Sequence, residues 1–173
     1  MESQDLPILI DAKTEYTKQL TSILIPRIYE GFTSIYEEAT QNCDDDKSLI
    51  IFQKFLSKIP EWSHELLNRE YTRIQNKSSC DWLHDLIMGV FVSHIKVLAS
   101  IKLKSDPLRE RPLKIKIPQG HVFIHECYKQ CAREIWKNPY LFSEKVSQYD
   151  YQRNMRDAEV IIGDAITETI RKQ

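Results

Sequence analysis

Glycine and cysteine are scarce in this sequence, which has four of each among 173 residues. Four glycines leave little material for phosphate-binding loops, and no glycine-rich loop, nucleophile elbow or cysteine-protease signature occurs. Four dispersed cysteines do not make the disulfide framework of a small secreted domain, and a chain of this length does not need one. The sequence therefore argues against an enzyme with a small-molecule substrate and favours reduced thiols in a cytosol-like compartment.

An excess of one charge and a long apolar run are also missing. Twenty-four basic and 25 acidic side chains give a net charge of -1, so the molecule as a whole does not attract nucleic acid or an anionic membrane. The longest uncharged apolar stretch, residues 86–95, is much shorter than the roughly 20 residues of a membrane helix. The acidic N-terminus argues against a secretory signal. We therefore expect no transmembrane segment and no nucleic-acid partner.

What the sequence does contain is the composition of a folded domain. Hydrophobic residues make up 42% of the chain and charged residues 28%, enough for a packed core and a solvated surface. Apolar residues recur at spacings of three and four, the period of an amphipathic helix. The first such stripe predicts a helix from Asp11 to Ala39. Pro26 interrupts it and predicts a kink or a break near residues 22–26, because proline removes a helical hydrogen bond.

Further helices follow from the same periodicity and from capping residues. Pro60 suits the first turn of a helix ending near Asn76. Ser78 and Asp81 have the spacing of a capping box, which predicts that the next helix begins at Ser79. That helix, with an apolar stretch to Ile101, has little polar circumference and is expected at the centre of the fold, where Gly89 would allow close approach of a neighbour. The remaining helices are predicted over 47–58, 120–137 and 149–170.

The predicted fold class is all-α, a multi-helix bundle of five to seven helices with one short extended connector. We expect a single helical domain over residues 1–173. It divides into an N-terminal kinked helix at 1–45, central helices at 46–102, a basic connector at 103–119 and C-terminal helices at 120–173.

The connector holds the largest local excess of positive charge, and its basic residues are the predicted partner-binding set: Lys102, Lys104, Arg109, Arg111, Lys114 and Lys116. Residues 113–117 alternate apolar and basic side chains, so an extended backbone would place Ile117 and Lys116 on opposite sides. We predict a partner-contacting arm; the alternative is an ordinary connector whose lysines are solvated. The segment lacks aromatic side chains, which argues against binding of single-stranded nucleic acid.

Two pairs of residues match part of a di-iron site. Glu61 with His64, and Asp81 with His84, have the carboxylate-x-x-histidine spacing found in di-iron helical bundles. However, each carboxylate falls in a predicted first helical turn, where the helix dipole already favours acidic residues. We therefore interpret both carboxylates as helix-start residues and predict no metal ligand.

A second group combines histidines and cysteines within one predicted helix, namely His121, His125, Cys127 and Cys131. At about 100° per residue, Cys127 is turned about 160° from His125, so one metal ion cannot collect all four side chains. The cysteines are better explained as small core residues, although a two-ligand site completed by another helix stays open. His94, within an apolar stripe, is expected to be a hydrogen-bonded core histidine. No metal or other cofactor is predicted.

Several short segments of the sequence resemble an uncharacterised protein family of the nucleocytoplasmic large DNA viruses, of the phycodnavirus and mimivirus type. They are spread along the chain from residue 59 onward and consist of core and turn residues rather than a catalytic signature. The segments are IPEW at 59–62, CDWLHDL at 80–86, VSHIK at 92–96, KIKIP at 114–118, FIHECY at 123–128, AREIWKNPYLF at 132–142 and ETIR at 168–171.

The resemblance implies a viral protein made in the host cytoplasm and built into the virion. Its implied role is that of a minor capsid protein, which bridges or cements neighbouring subunits by protein-protein contacts. The implied partners are a jelly-roll major capsid protein or other minor capsid proteins. Two alternatives remain: a non-virion adaptor acting in infection or genome packaging, and a metal-binding helical-bundle enzyme. The resemblance assigns no functional residue.

Overall fold

Six α-helices account for most of the chain that the computed structural model describes, which is residues 5–41, 47–105 and 116–172. Two short 3-10 helices, Ile59–Glu61 and Pro139–Phe142, lie between them, and these ranges contain no strand. The all-α multi-helix bundle is confirmed. The α-helices are α1 (Asp5–Gln41), α2 (Ser48–Lys58), α3 (His64–Lys77), α4 (Leu83–Ser105), α5 (Gly120–Lys137) and α6 (Gln148–Lys172).

Helix α1 is the longest element and packs against α2, α3, α4 and α6. It continues through Pro26, so the chain does not break there, and a kink at this position stays a prediction. Leu24 and Ile28, on either side of the proline, are both fully buried. Their packing holds the two halves of the helix together at the point where one backbone hydrogen bond is lost. Ser22, whose carbonyl would have bonded to residue 26, lies at the surface.

The start of α3 differs from the prediction. Pro60 belongs to the 3-10 helix Ile59–Glu61, and α3 begins only at His64. Ser63 provides the reason: its side-chain oxygen accepts a hydrogen bond from the backbone N–H of Leu66 at 3.2 Å, the usual N-cap interaction. Trp62 is therefore in the link between the two helices, not in α3.

The predicted capping box at residues 78–81 is wrong. The hydroxyl of Ser78 donates to the carbonyl of Ile74 at 2.6 Å, so Ser78 closes α3 instead of opening α4. Ser79 has a left-handed backbone with φ 53°, and the N–H of Cys80 donates to the carbonyl of Gln75 at 3.2 Å. α4 consequently starts at Leu83, four residues after the predicted position. Serine can cap the start of a helix or bond to the carbonyls at its end. The spacing between Ser78 and Asp81 therefore could not show which of these roles Ser78 has.

Helix α4 is a core helix over its first half. Leu83, Ile87, Val90 and Phe91 are all buried, as the sequence predicted for the central helix. Gly89 is less critical than expected, because a Cβ there would lie at an ordinary 3.7 Å from the Tyr16 ring. By length and composition the segment 83–102 could cross a membrane, a criterion that the core helix of a soluble protein can also meet. The absence of a transmembrane segment stays a prediction.

The predicted connector at 103–119 is shorter at its start, because α4 continues to Ser105. At its other end Lys116 is exposed and Ile117 packs against the core, in agreement with the predicted alternation at these two positions. Leu113 and Ile115 lie outside the described residues. Gly120 begins α5 so close to the Tyr71 ring that a Cβ would come within 2.6 Å of it.

Candidate functional site

A polar network joins α1, α3 and α5 through a tyrosine in the core. Tyr128 is fully buried, and its hydroxyl donates to Glu70 Oε1 at 2.5 Å. The guanidinium of Arg73 donates from Nε to both Glu70 oxygens at 3.1 Å and from Nη2 to Oε1 at 2.5 Å. It also reaches α1, where Nη2 donates to the Arg27 carbonyl at 2.7 Å and Nη1 pairs with Glu30 at 3.2 Å. Five polar groups from three helices therefore satisfy one another.

The electrostatics of this network follow from burial and from the short distances. Burial raises the pKa of the Tyr128 hydroxyl well above its usual value, and the negative charge of Glu70 raises it further. Burial alone would lower the pKa of Arg73, but its hydrogen bonds and charge interaction with Glu70 outweigh that effect and raise it. The tyrosine therefore stays protonated and the arginine charged at neutral pH. The arrangement holds α1, α3 and α5 together.

Gly31 in α1 is the residue whose lack of a side chain this network requires. A Cβ at residue 31 would occupy the space of the Tyr128 hydroxyl and lie 3.2 Å from Glu70 Oε1. Because that hydroxyl is fixed by its hydrogen bond, it cannot move aside cheaply. Residue 31 must therefore be a glycine because α1 and Tyr128 approach closely here. The sequence had suggested this role for Gly89.

An open groove of about 690 Å³ lies above the network. Its size is within the range of small-ligand sites. The polar groups at its base, however, already bond to each other, so nothing there selects a ligand chemistry. The groove is lined by Gly31, Ser34, Ile35, Glu38, Phe55, Lys58, Glu61, Trp62, Ser63, Leu66, Arg69, Glu70, Arg73 and Tyr128.

The histidines and cysteines of α5 have separate environments, as the angular argument predicted. His125 is buried, with Nε2 2.8 Å from the Ile59 carbonyl and its ring stacked on Trp62. Cys127 and Cys131 are fully buried, and burial raises the pKa of both thiols. His121 instead faces His64 of α3, with ring centroids 4.8 Å apart.

The other histidine singled out by the sequence is also hydrogen-bonded. Nδ1 of His94 lies 2.7 Å from the Val90 carbonyl, and burial lowers its pKa. The hydrogen bond agrees with the expectation, but the ring is half-buried and does not belong to the core as predicted. Among the residues with described positions, no group of three or more histidine, cysteine, aspartate or glutamate side chains is placed to hold a metal ion.

Only part of the predicted basic partner-binding set lies within the described residues. Lys102 and Lys116 are exposed, and the backbone of Lys104 lies in the last turn of α4. Arg109, Arg111 and Lys114 lie outside the described residues. Lys102 follows Leu98 by four residues, so these two side chains share one side of α4. No contact between Lys102 and Lys116 is established, and the set as a whole remains a prediction.

An apolar surface extends from the bundle where α1 begins and α4 ends. The first buried residue of α1 is Leu20, and the last buried residue of α4 among those with described side chains is Val97. The helices run antiparallel, since Tyr16 lies over Gly89 and Lys13 is near enough to His94 to contribute to lowering its pKa. Exposed apolar side chains lie beyond the covered part of the pair. We call three of these residues the end patch: Ile10, Leu98 and Ile101.

The end patch continues the core faces of its two helices. Ile101 follows Leu83 by 18 residues, about five helical turns, and therefore lies on the side of α4 that is buried further back. Leu98 and Ile101 are nevertheless 57% and 50% exposed, and Ile10 is 42% exposed. Sequence periodicity placed Tyr16 and Ile101 in buried stripes, yet both are exposed. Periodicity could not show how far the neighbouring helices cover each stripe.

The fold and these surfaces define an all-helical bundle with a partly buried polar network between α1, α3 and α5 and an apolar patch at one end. A family model described as "Family of unknown function (DUF5764)" matches residues 6–143, and the chain belongs to that family. The match includes α1 to α5 and the 3-10 helix Pro139–Phe142, and hence both the network and the end patch. No curated protein and no solved structure matches the chain.

Proposed function

We propose that this protein is a minor capsid component of a large DNA virus, which bridges neighbouring capsid subunits through protein-protein contacts. The viral origin in this proposal rests on the resemblance of the sequence segments between residues 59 and 171 to the viral family. The mode of action rests on the bundle itself. The polar network around Tyr128 holds helices together, and the exposed apolar side chains of the bundle are available to contact another protein.

The end patch is the observation that carries the proposal. Core-type side chains that continue onto an uncovered surface are typical of protein contact sites, because burying them removes apolar area from water. Leu98 and Ile101 lie within one turn of each other, and Lys102 borders them. An apolar centre with a charged rim is the usual layout of an interface. The partner we propose is a capsid subunit that covers this patch.

The basic residues have a supporting role in this proposal. Lys102 and Lys116 are exposed and belong to the segment for which the sequence predicted a partner-contacting arm. Charges at an interface rim steer association and fix orientation more than they add affinity. An acidic surface on the capsid partner would therefore face Lys102 when the end patch is buried.

The direct test is the protein content of purified particles. Virions of the encoding virus should contain the chain in many copies, at a fixed ratio to the major capsid protein, and a density map of the particle should place α1 and α4 against a neighbouring subunit. Absence of the chain from particles that are otherwise complete would refute the proposal. That result would favour the runner-up, an adaptor acting during infection or genome packaging outside the virion.

A further inference from the structure

Two histidines that are far apart in the sequence meet at the starts of α3 and α5. His64 is the first residue of α3, and His121 is the second residue of α5. Their rings lie edge to face with centroids 4.8 Å apart. His64 is exposed and His121 is half-buried, so solvent reaches the pair. Neither ring has a role in the polar network.

We propose that His64 and His121 together chelate a divalent transition-metal ion, which ties the start of α3 to the start of α5. The proposal stands independently of the proposed function. Imidazole is a preferred ligand for zinc, nickel and copper ions, and water completes the coordination shell at an exposed two-histidine site.

The spacing of the rings fits such a chelate. With metal-nitrogen bonds of about 2.0–2.1 Å, two imidazoles in adjacent coordination positions have ring centroids about 4.5–5.2 Å apart. The observed 4.8 Å lies within that range. The edge-to-face orientation requires one ring to turn so that both nitrogens aim at a common point. Because His64 is exposed, its side chain can rotate without displacing core residues.

The protonation state of His121 also suits metal binding. Burial lowers the pKa of His121, and the neighbouring His64 lowers it further, so this ring is a neutral ligand at pH 7.5. The positive ends of two helix dipoles oppose a cation here. Glu65 lies in the same first turn of α3 as His64, where its carboxylate pairs with Arg69 at 3.1 Å.

The remaining histidines cannot form the same site, and one of them provides a matched control. His94 and His125 are each hydrogen-bonded to a backbone carbonyl. His84, at the start of α4, is exposed and stacks on no other histidine. Replacement of His84 therefore removes a surface histidine without touching the pair.

The experiment is calorimetric titration of nickel chloride into the full chain without an affinity tag, in a non-chelating buffer at pH 7.5. The parent should bind one equivalent. His64→Ala and His121→Ala should each weaken binding by about tenfold or more, because one imidazole alone is a poor ligand. His84→Ala should bind like the parent. A parent without stoichiometric binding, or single variants that bind as tightly as the parent, would overturn the proposal.

Thermal melting provides a second readout that does not depend on the calorimetric signal. Nickel should raise the melting temperature of the parent and of His84→Ala, since the ion binds only the folded pair. It should leave His64→Ala and His121→Ala unchanged. His64→Gln, which keeps a polar side chain of similar length, should behave like His64→Ala. Equal nickel shifts in all of these variants would mean that binding occurs elsewhere, and the assignment to this pair would be wrong.

Discussion

The two halves of α1 have the same apolar periodicity but different environments. None of residues 5–19 is buried, whereas six residues between Leu20 and Ala39 are. In the covered half Phe32 packs against the rings of Tyr128 and Phe142. In the other half Tyr16 lies over Gly89 and stays 42% exposed. A helical stripe therefore marks which side is apolar, while the length of its neighbours decides how much of it is buried.

This difference separates folding from binding in the molecule. The covered half of α1, together with the network around Tyr128, is where substitutions should reduce stability. The N-terminal half of α1, where no residue from 5 to 19 is buried, and the end of α4 should tolerate polar substitutions better. The predictions below test that separation, beginning with the largest expected effect.

Phe32→Ala should lower the free energy of unfolding by about 3–5 kcal/mol, because a fully buried ring is removed from a packed aromatic cluster. Tyr16→Ala, in the same helix, should cost less, about 1–2 kcal/mol, since its ring packs over Gly89 but is partly in water already. Urea denaturation of the two variants gives the comparison. Similar losses would mean that the two halves of α1 do not differ in the way their burial indicates.

Gly31→Ala should cost about 1–3 kcal/mol, because the new methyl group meets the fixed Tyr128 hydroxyl. The matched change Gly89→Ala should be neutral or stabilising by about 0.5–1 kcal/mol, as its methyl group makes only an ordinary contact with Tyr16. Denaturant unfolding measures both.

A double variant locates the cause of the Gly31 effect. Tyr128→Phe removes the hydroxyl and its hydrogen bond to Glu70, so Gly31→Ala should be less costly in that background than in the parent. Strictly additive effects of the two substitutions would show that the clash lies elsewhere.

Stability should fall above about pH 9, and the core of α5 should contribute to that fall. Burial raises the folded-state pKa of Cys131, so the thiol keeps its proton in the folded chain while the unfolded chain loses it. The unfolded state then binds fewer protons, and each such group lowers stability by about 1.4 kcal/mol per pH unit until its folded pKa is reached. Cys131→Ala should make the decline shallower. An unchanged slope between pH 9 and 10.5 would contradict this.

The sequence predicted most of the helices and missed the contacts that only the fold creates, for physical reasons. Periodicity is local, so α2, α5 and α6 were placed within a residue or two. Helix ends at Ser63 and Ser78 depend on which backbone group the hydroxyl reaches, and spacing alone does not decide that. Glu70 and Arg73 show an ordinary i,i+3 charge pair, and only the fold brings Tyr128 between them. The meeting of His64 with His121 likewise depends on how α3 packs on α5.

The end patch should contribute little to folding stability. Replacing Leu98 and Ile101 with glutamine should change the free energy of unfolding by less than about 0.5 kcal/mol, because both side chains are at least half exposed and glutamine is a good helix former. Val160→Gln, at an equally exposed apolar position on α6, is the matched control. A loss above about 2 kcal/mol in the double variant would mean that the patch is part of the core.

Incorporation of the same variants into virus particles tests the central claim most directly. The amount of chain per major capsid protein should be measured in particles purified from cells that express each variant in place of the parent. The account predicts that Leu98→Gln with Ile101→Gln reduces incorporation several-fold at unchanged stability, while Val160→Gln is incorporated like the parent. Normal incorporation of the double variant would contradict the assignment of the end patch as the surface that binds the capsid.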